Sequence, residues 1–176
     1  MARRYSARRY AEAVFEIALA EKQPDEWQAV LDRMAGLSRD ASIAAFMESP
    51  DIAFAKKAKV INEALGITDP VIQNFLHLLI IKRRFGTVAA IAGEYRRLLD
   101  VNRNIERAEV MTAVPLDEEE SKKVALRLGE ILGKKVITTN EVKPGLIGGM
   151  VVRVAGKLLD GSTRGRLESL KAEISR

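Results

Sequence analysis

The stretch Ile105-Glu106-Arg107-Ala108-Glu109-Val110-Met111-Thr112-Ala113-Val114 decides the fold, because the hydrophobic period of the chain changes there. Charged and apolar side chains alternate through it, which is the two-residue period of a half-buried strand. Before Asn104 the apolar residues recur every three to four positions, as they do in helices. The sequence therefore predicts an α+β protein with two domains, residues 1–104 and 105–176.

Six helical patterns with short links precede this strand, and together they predict a helical bundle. Pro24 suits the first turn of the second helix, and Gly66 suits the end of the fourth, because glycine accepts a left-handed backbone. Asp69 is the expected cap of the fifth helix, which is apolar on almost every side. The six patterns cover approximately residues 8–18, 24–37, 42–47, 54–65, 71–82 and 87–104.

The second domain is predicted to be a short sheet with two helices. Asp117 and Glu120 have the spacing of a capping box, and Gly133 ends the helix that follows. The dipeptide Ala155-Gly156 suits a tight hairpin turn. Ser162 or Thr163 is expected to cap a closing helix that runs to about Ser175. Short strands are predicted at residues 135–139, 150–154 and 157–160.

Composition limits the possible classes of function. The 176 residues are 47% hydrophobic and 30% charged, with no cysteine, so disulfides and thiolate chemistry are excluded. The net charge of +5 is spread over both predicted domains, which is unlike a basic nucleic-acid-binding tail. The longest strongly apolar run, residues 75–81, is too short to cross a bilayer, so we expect no direct membrane insertion. The arginine-rich start resembles a transit peptide only faintly, and we expect it to belong to the first helix.

We find no convincing constellation for catalysis, cofactor binding or metal binding in the sequence. His77 is the only histidine and lies in the most apolar helix, without cysteine. The glycines of residues 145–149 precede a strand instead of opening a helix, and no Lys-Ser/Thr follows, so a phosphate loop is not expected. Residues 160–164 are interpreted as a turn and helix cap. The arginines and tyrosines of residues 3–10 are the best candidate for nucleic-acid contact, although a solvated helix start or a contact to an acidic partner fits them at least as well.

Several motifs, taken in order, resemble the ATP synthase delta family, whose mitochondrial relative is the oligomycin-sensitivity-conferring protein. Arg84 follows the fifth helix, and Ala108 to Pro115 matches the family's A-x-V-x-x-A-x-P/L strand. The resemblance covers nearly the whole chain and departs at Lys143, where relatives often carry an acid before the proline. The remaining matching residues are Arg8, Tyr10, Ala11, Ala13, Val14, Phe15, Ala18, Tyr95, Leu98, Leu146, Ile147, Gly148, Gly149, Asp160, Gly161, Ser162, Leu167 and Leu170.

The resemblance implies a non-catalytic stator subunit at the cytoplasmic face of a bacterial cell membrane. The first domain is then expected to bind the amino-terminal helices of alpha subunits on the catalytic head, and the second the b subunits of the peripheral stalk. An amphipathic helix laid in an apolar groove is a suitable joint. The expected groove residues are Tyr10, Ala11, Ala13, Val14, Ile17, Phe75, Leu78, Leu79 and Lys82, and the expected structural motif is Arg84, Gly148, Gly149, Asp160, Gly161 and Ser162.

Two other classes of function are considered beside the stator. A basic nucleic-acid-binding adaptor would lose affinity steeply with salt, and the even distribution of charge speaks against it. An enzyme would need a residue-specific active site, which the sequence does not present.

Overall fold

A computed structural model describes residues 2–167, with side chains from residue 6 onward. Six α-helices fill the first part of the described chain, as the sequence predicts. A single turn of 3-10 helix, Phe85–Thr87, precedes the sixth. The helices are α1 (Ala2–Ala20), α2 (Pro24–Ser38), α3 (Ala41–Glu48), α4 (Phe54–Leu65), α5 (Pro70–Ile81) and α6 (Val88–Asn102).

The ends of these helices follow local chemistry. The carboxylate of Asp69 accepts hydrogen bonds from the amides of Val71 and Ile72, at 2.7 and 3.4 Å, and so caps α5. Gly66 ends α4 with a left-handed backbone, φ 59°, as expected. The sixth helix ends two residues earlier than predicted. Asn104 adopts φ 54°, and a left-handed residue cannot continue a right-handed helix.

The chain divides into two compact units between Leu99 and Asp100. The core of the first unit is aliphatic around a few aromatic rings. Trp27, Phe85 and Tyr95 are all fully buried. The hydroxyl of Tyr95 donates to the carbonyl of Pro24 at 2.9 Å, so the buried phenol keeps a hydrogen-bond partner.

The second unit holds a four-stranded sheet covered by one long helix, α7 (Glu118–Leu132). The strands lie in the order β2-β1-β3-β4; β1 and β2 are parallel and the other pairs are antiparallel. Both ends of α7 match the sequence, since Asp117 and Glu120 form a capping box and Gly133 is left-handed. The strands are β1 (Ile105–Thr112), β2 (Lys135–Val142), β3 (Met150–Val154) and β4 (Lys157–Asp160).

The prediction of the β3–β4 hairpin is confirmed. Ala155 and Gly156 both have positive φ, 50° and 75°, which is the backbone of a type I′ turn. The second strand runs to Val142 instead of residue 139, because all its residues pair in register with β1. Of the predicted closing helix, residues 163–167 are helical. Its continuation to Ser175, including Leu170, lies outside the described residues.

One face of the sheet packs against α7 to make the second core. Ala108 and Val110 of β1 and Val152 and Val154 of β3 meet Leu128 of the helix. Within residues 2–167, no helix is both long enough and apolar enough to cross a membrane.

Candidate partner-binding site

Helices α1 and α5 contact each other through aromatic rings. The rings of Tyr10 and Phe75 meet edge to face with centroids 6.3 Å apart, and Phe75 also meets Trp27 of α2 at 6.0 Å. The guanidinium of Arg84 donates to the hydroxyl of Ser6 at 3.3 Å. The start of α1 therefore lies near the end of α5, so the two helices run antiparallel.

The nine predicted groove residues divide into three classes of burial. Ala11, Val14 and Leu79 are core residues with at most 2% exposure. Tyr10 and Phe75 are half-buried. The remaining four are exposed to solvent, and they are Ala13, Ile17, Leu78 and Lys82. The three core residues support the surface from below and do not themselves reach it.

The accessible predicted residues form one stripe on each helix. Positions 10, 13 and 17 of α1 are spaced i, i+3, i+7. Positions 75 and 78 of α5 and its C-cap, position 82, have the same spacing. Residues at these spacings share a helix face. The two stripes meet where Tyr10 touches Phe75, and because the helices are antiparallel they extend from that contact in opposite directions. We call the two stripes together the α1/α5 seam.

Two further apolar residues on these helices are exposed and are not among the predicted groove residues. Leu19 is 40% exposed on α1, and Ile81 is 61% exposed on α5. The signal for Ile81 was present, because a helix that is apolar on all sides cannot bury every side chain in one bundle.

Arg84, three residues after the end of α5, organises the connection to α6. Its carbonyl accepts hydrogen bonds from the amide and the hydroxyl of Thr87, at 2.9 and 2.7 Å. Nearby, the carboxylate of Glu48 accepts from the amide of Gly86 at 3.0 Å, which ties this turn to the end of α3.

The remaining predicted motif residues come together in the second unit, in what we call the glycine clasp: Gly148, Gly149, Asp160, Gly161 and Ser162. A Cβ on Gly149 would lie 2.5 Å from the carbonyl oxygen of Gly161, and φ at Gly149 is +74°. The carbonyl of Gly148 accepts from the amide of Thr163 at 3.0 Å. Glycine is therefore required at position 149 for steric reasons, and the two motifs form one structural element.

Asp160 and Ser162 cap the helical turn that follows the clasp. The carboxylate of Asp160 accepts from the amide of Ser162 at 2.8 Å, and this hydrogen bond lowers the pKa of Asp160. The buried hydroxyl of Ser162 accepts from the amide of Gly165 at 3.0 Å. These are the contacts of a turn and cap, as interpreted from the sequence.

The one histidine lies among neutral neighbours. The rings of His77 and Phe54 meet edge to face with their centroids 5.3 Å apart. The Nε2 atom of His77 lies 3.4 Å from the side-chain nitrogen Nδ2 of Asn62. Across the described part of the chain, no group of three or more acidic, histidine or cysteine side chains could hold a metal ion.

Comparison with known proteins identifies the family. The family model of the ATP synthase delta (OSCP) subunit matches residues 7–174. The chain belongs to this family. It is 41% identical to ATP synthase subunit delta of Dehalococcoides mccartyi over 169 residues, covering 96% of this chain and 93% of that protein. It is 38% identical to the subunit of the same name from Gemmatimonas aurantiaca, covering 96% and 92%.

The delta fold is also present in a solved assembly. A chain in the cryo-EM structure of the Toxoplasma gondii mitochondrial ATP synthase hexamer superimposes with a TM-score of 0.65, covering 97% of both chains at 22% identity. At this identity the likeness concerns the fold. Family membership makes the chain a structural subunit of the ATP-synthesising complex and not one of its catalytic subunits.

Proposed function

We propose that this delta-family chain is a stator subunit that links the catalytic head of the ATP synthase to its peripheral stalk. The observation that carries the proposal is membership of the delta family. The contacting helices α1 and α5 also expose apolar side chains, Ile17 on the first and Leu78 and Ile81 on the second, which a partner could bury.

The partner proposed for the seam is the amino-terminal helix of an alpha subunit. An amphipathic helix buries its apolar face in a groove between two helices. Ala13 has a small side chain, which would let a partner backbone approach closely, and Lys82 is placed to pair with an acidic residue on the partner's rim. Such a joint resists torque from the rotor through buried contact and needs no chemistry.

The second domain, residues 105–176, is proposed to hold the b subunits of the stalk, while residues 1–104 hold the head. In this role the protein sits at the cytoplasmic side of a bacterial cell membrane as a peripheral protein. Its attachment to the membrane is indirect and runs through the stalk.

The test measures binding of a synthetic alpha-subunit amino-terminal peptide from the same organism to the full chain by calorimetry. We expect saturable binding that salt weakens little, since apolar burial contributes most of the free energy and screening acts on exposed charges. A scrambled peptide of equal composition is the control.

Two results would contradict the proposal. One is a peptide that binds the full chain no better than its scrambled control. The other is stoichiometric micromolar binding or turnover of ATP by the isolated chain, which would assign it a catalytic or nucleotide-sensing role.

A further inference from the structure

We propose that the outer edge of β2, together with the groove between β2 and α7, binds an extended acidic peptide segment as a fifth strand of the sheet. This surface is separate from the α1/α5 seam. The inference goes beyond the stator proposal and does not depend on it, because it concerns an extended and not a helical partner. It also holds whichever protein supplies the segment.

The outer edge of β2 has unused backbone hydrogen-bonding groups. Within residues 2–167, β2 pairs only with β1. The amides of Lys135 and Lys143 both point inward, donating to the carbonyls of Asn104 and Thr112 at 3.2 and 2.7 Å. Because backbone direction alternates along a strand, the amides of residues 136, 138, 140 and 142 point outward. An edge of this kind is a template for a further strand.

Beside this edge lies an apolar groove with a volume of about 590 Å³. Its lining includes Ala125, Leu126 and Gly129 of α7 and Val136 of β2. Leu126 is 70% exposed, so its side chain is accessible to a partner in the groove. The small side chains at positions 125 and 129 leave room for the side chains of an incoming strand.

The groove has the right direction and length for a strand. The hydroxyl of Ser121, near the start of α7, lies 3.1 Å from that of Thr138 and 2.9 Å from the amide nitrogen of Asn140. Residue 129, near the end of α7, lines the groove with residue 136, so helix and strand run antiparallel. From residue 122 to 130 the helix rises about 12 Å, which matches roughly four residues of a strand. Binding between a helix and a sheet edge is a known mode of peptide recognition.

The charge around the groove selects an acidic segment. The groove lining contains three lysines, Lys122, Lys134 and Lys135, and one acid, Glu130. The carboxylate of Glu130 already forms an ion pair with the guanidinium of Arg127, with Oε2 and Nη1 2.8 Å apart. Lys122 and Lys134 have exposed ion pairs within the chain. Such pairs contribute little, so these lysines can exchange partners when an acidic peptide arrives.

The test is amide-resolved NMR on the isotope-labelled full chain. The probe is a short peptide that alternates glutamate with valine, and its control has lysine in place of glutamate. We expect the acidic peptide to shift and protect the amides of residues 136, 138, 140 and 142 and to perturb Leu126. The lysine peptide should bind about ten-fold more weakly or not at all.

Three variants separate the contributions of backbone, groove and charge. Asn140→Pro removes an outward amide without breaking the pairing to β1, whereas Asn140→Ala removes only the side chain and is its control. We expect the proline variant to lose about ten-fold or more in affinity and the alanine variant little. Lys135→Glu should weaken binding roughly five-fold, and Lys123→Glu, a matched charge change outside the groove lining, should not.

Four outcomes would overturn the proposal. The first is no saturable shift at millimolar acidic peptide. The second is binding that survives Asn140→Pro but fails in Leu126→Glu, which would indicate a helical occupant. The third is protection of the outward amides from exchange in the absence of peptide, if this protection is lost when residues 168–176 are deleted. That result would assign the edge to those residues of the same chain. The fourth is such protection that grows with protein concentration, which would assign the edge to a second copy of the chain.

Discussion

The guanidinium of Arg107 binds the carboxylate of Asp100 at two points, with Nε to Oδ2 at 2.5 Å and Nη2 to Oδ1 at 3.0 Å. Asp100 lies in the last turn of α6, and Arg107 is the third residue of β1. The hydrogen bond to Asp100 raises the pKa of Arg107, so the guanidinium stays charged. The two side chains bridge residues 103 and 104, which link helix and strand.

We predict that Asp100→Asn loosens this link without unfolding either unit. A two-point ion pair would be replaced by a weaker neutral contact, and trypsin should cleave after Arg103 about two- to five-fold faster. Asp32→Asn is the control, because it weakens another arginine–aspartate pair, with Arg96 at 2.7 Å, away from the link. An unchanged cleavage rate in Asp100→Asn would show that the pair does not restrain residues 103 and 104.

We predict that tryptophan at two neighbouring alanines of α1 has opposite effects. Ala13 is exposed, so Ala13→Trp should leave helicity unchanged and block binding of the alpha-subunit peptide. Ala11 is fully buried, so Ala11→Trp should overpack the core and cost about 1–3 kcal/mol of unfolding free energy. Circular dichroism and calorimetry on the same samples measure both effects. Normal peptide binding by a folded Ala13→Trp protein would remove residue 13 from the site.

We predict that Gly149→Ala destabilises the second unit. The new Cβ would meet the carbonyl oxygen of Gly161 at 2.5 Å in a backbone of φ +74°, and we expect a cost of about 1–3 kcal/mol. Gly145→Ala is the matched control, because nothing lies within 4 Å of its Cβ position and its φ is not positive. Amide exchange at Val110 and Val152 reports the stability of the sheet. Equal exchange rates in the two variants would show that the clasp tolerates a side chain.

We predict a pH-dependent contribution from Asp160. Its pKa in the folded protein is lowered by the hydrogen bond from Ser162, so the carboxylate stabilises the fold above its unfolded pKa of about 4. That stabilisation is lost as the pH falls through the lower folded pKa. Asp160→Asn should therefore melt below the wild type at neutral pH, and the difference in melting temperature should shrink at low pH. A difference that stays constant from pH 7 to about 3 would exclude this carboxylate as its source.

We predict that a fragment of residues 1–104 folds alone. The core residues of the first cluster all lie between Ala7 and Leu99, so the fragment contains the whole of that core. Trp27 is the only tryptophan and is fully buried, so its fluorescence reports on this unit specifically. A cooperative fluorescence transition is expected on urea titration. A fragment with solvent-exposed tryptophan emission in buffer would place the domain boundary elsewhere.

The elements of this protein follow from local sequence because their causes are local. The caps at Asp69 and Asp117, the left-handed glycines at 66 and 133 and the hairpin turn at 155–156 each depend on residues a few positions apart. The change of hydrophobic period at Ile105 likewise separates helices from sheet. The sequence alone was therefore sufficient for the α+β class and most element bounds.

Only the tertiary structure decided which surfaces are accessible and which segments pair. A one-dimensional stripe does not distinguish Ala11 from Ala13, since both lie near Val14, yet packing against neighbouring helices buries the first and exposes the second. The parallel pairing of β1 with β2 joins residues thirty positions apart. This pairing lengthens β2 to Val142 and leaves the outer edge of β2 unpaired within the described chain. Such contacts depend on how distant segments close together in space, and no local pattern of residues encodes that arrangement.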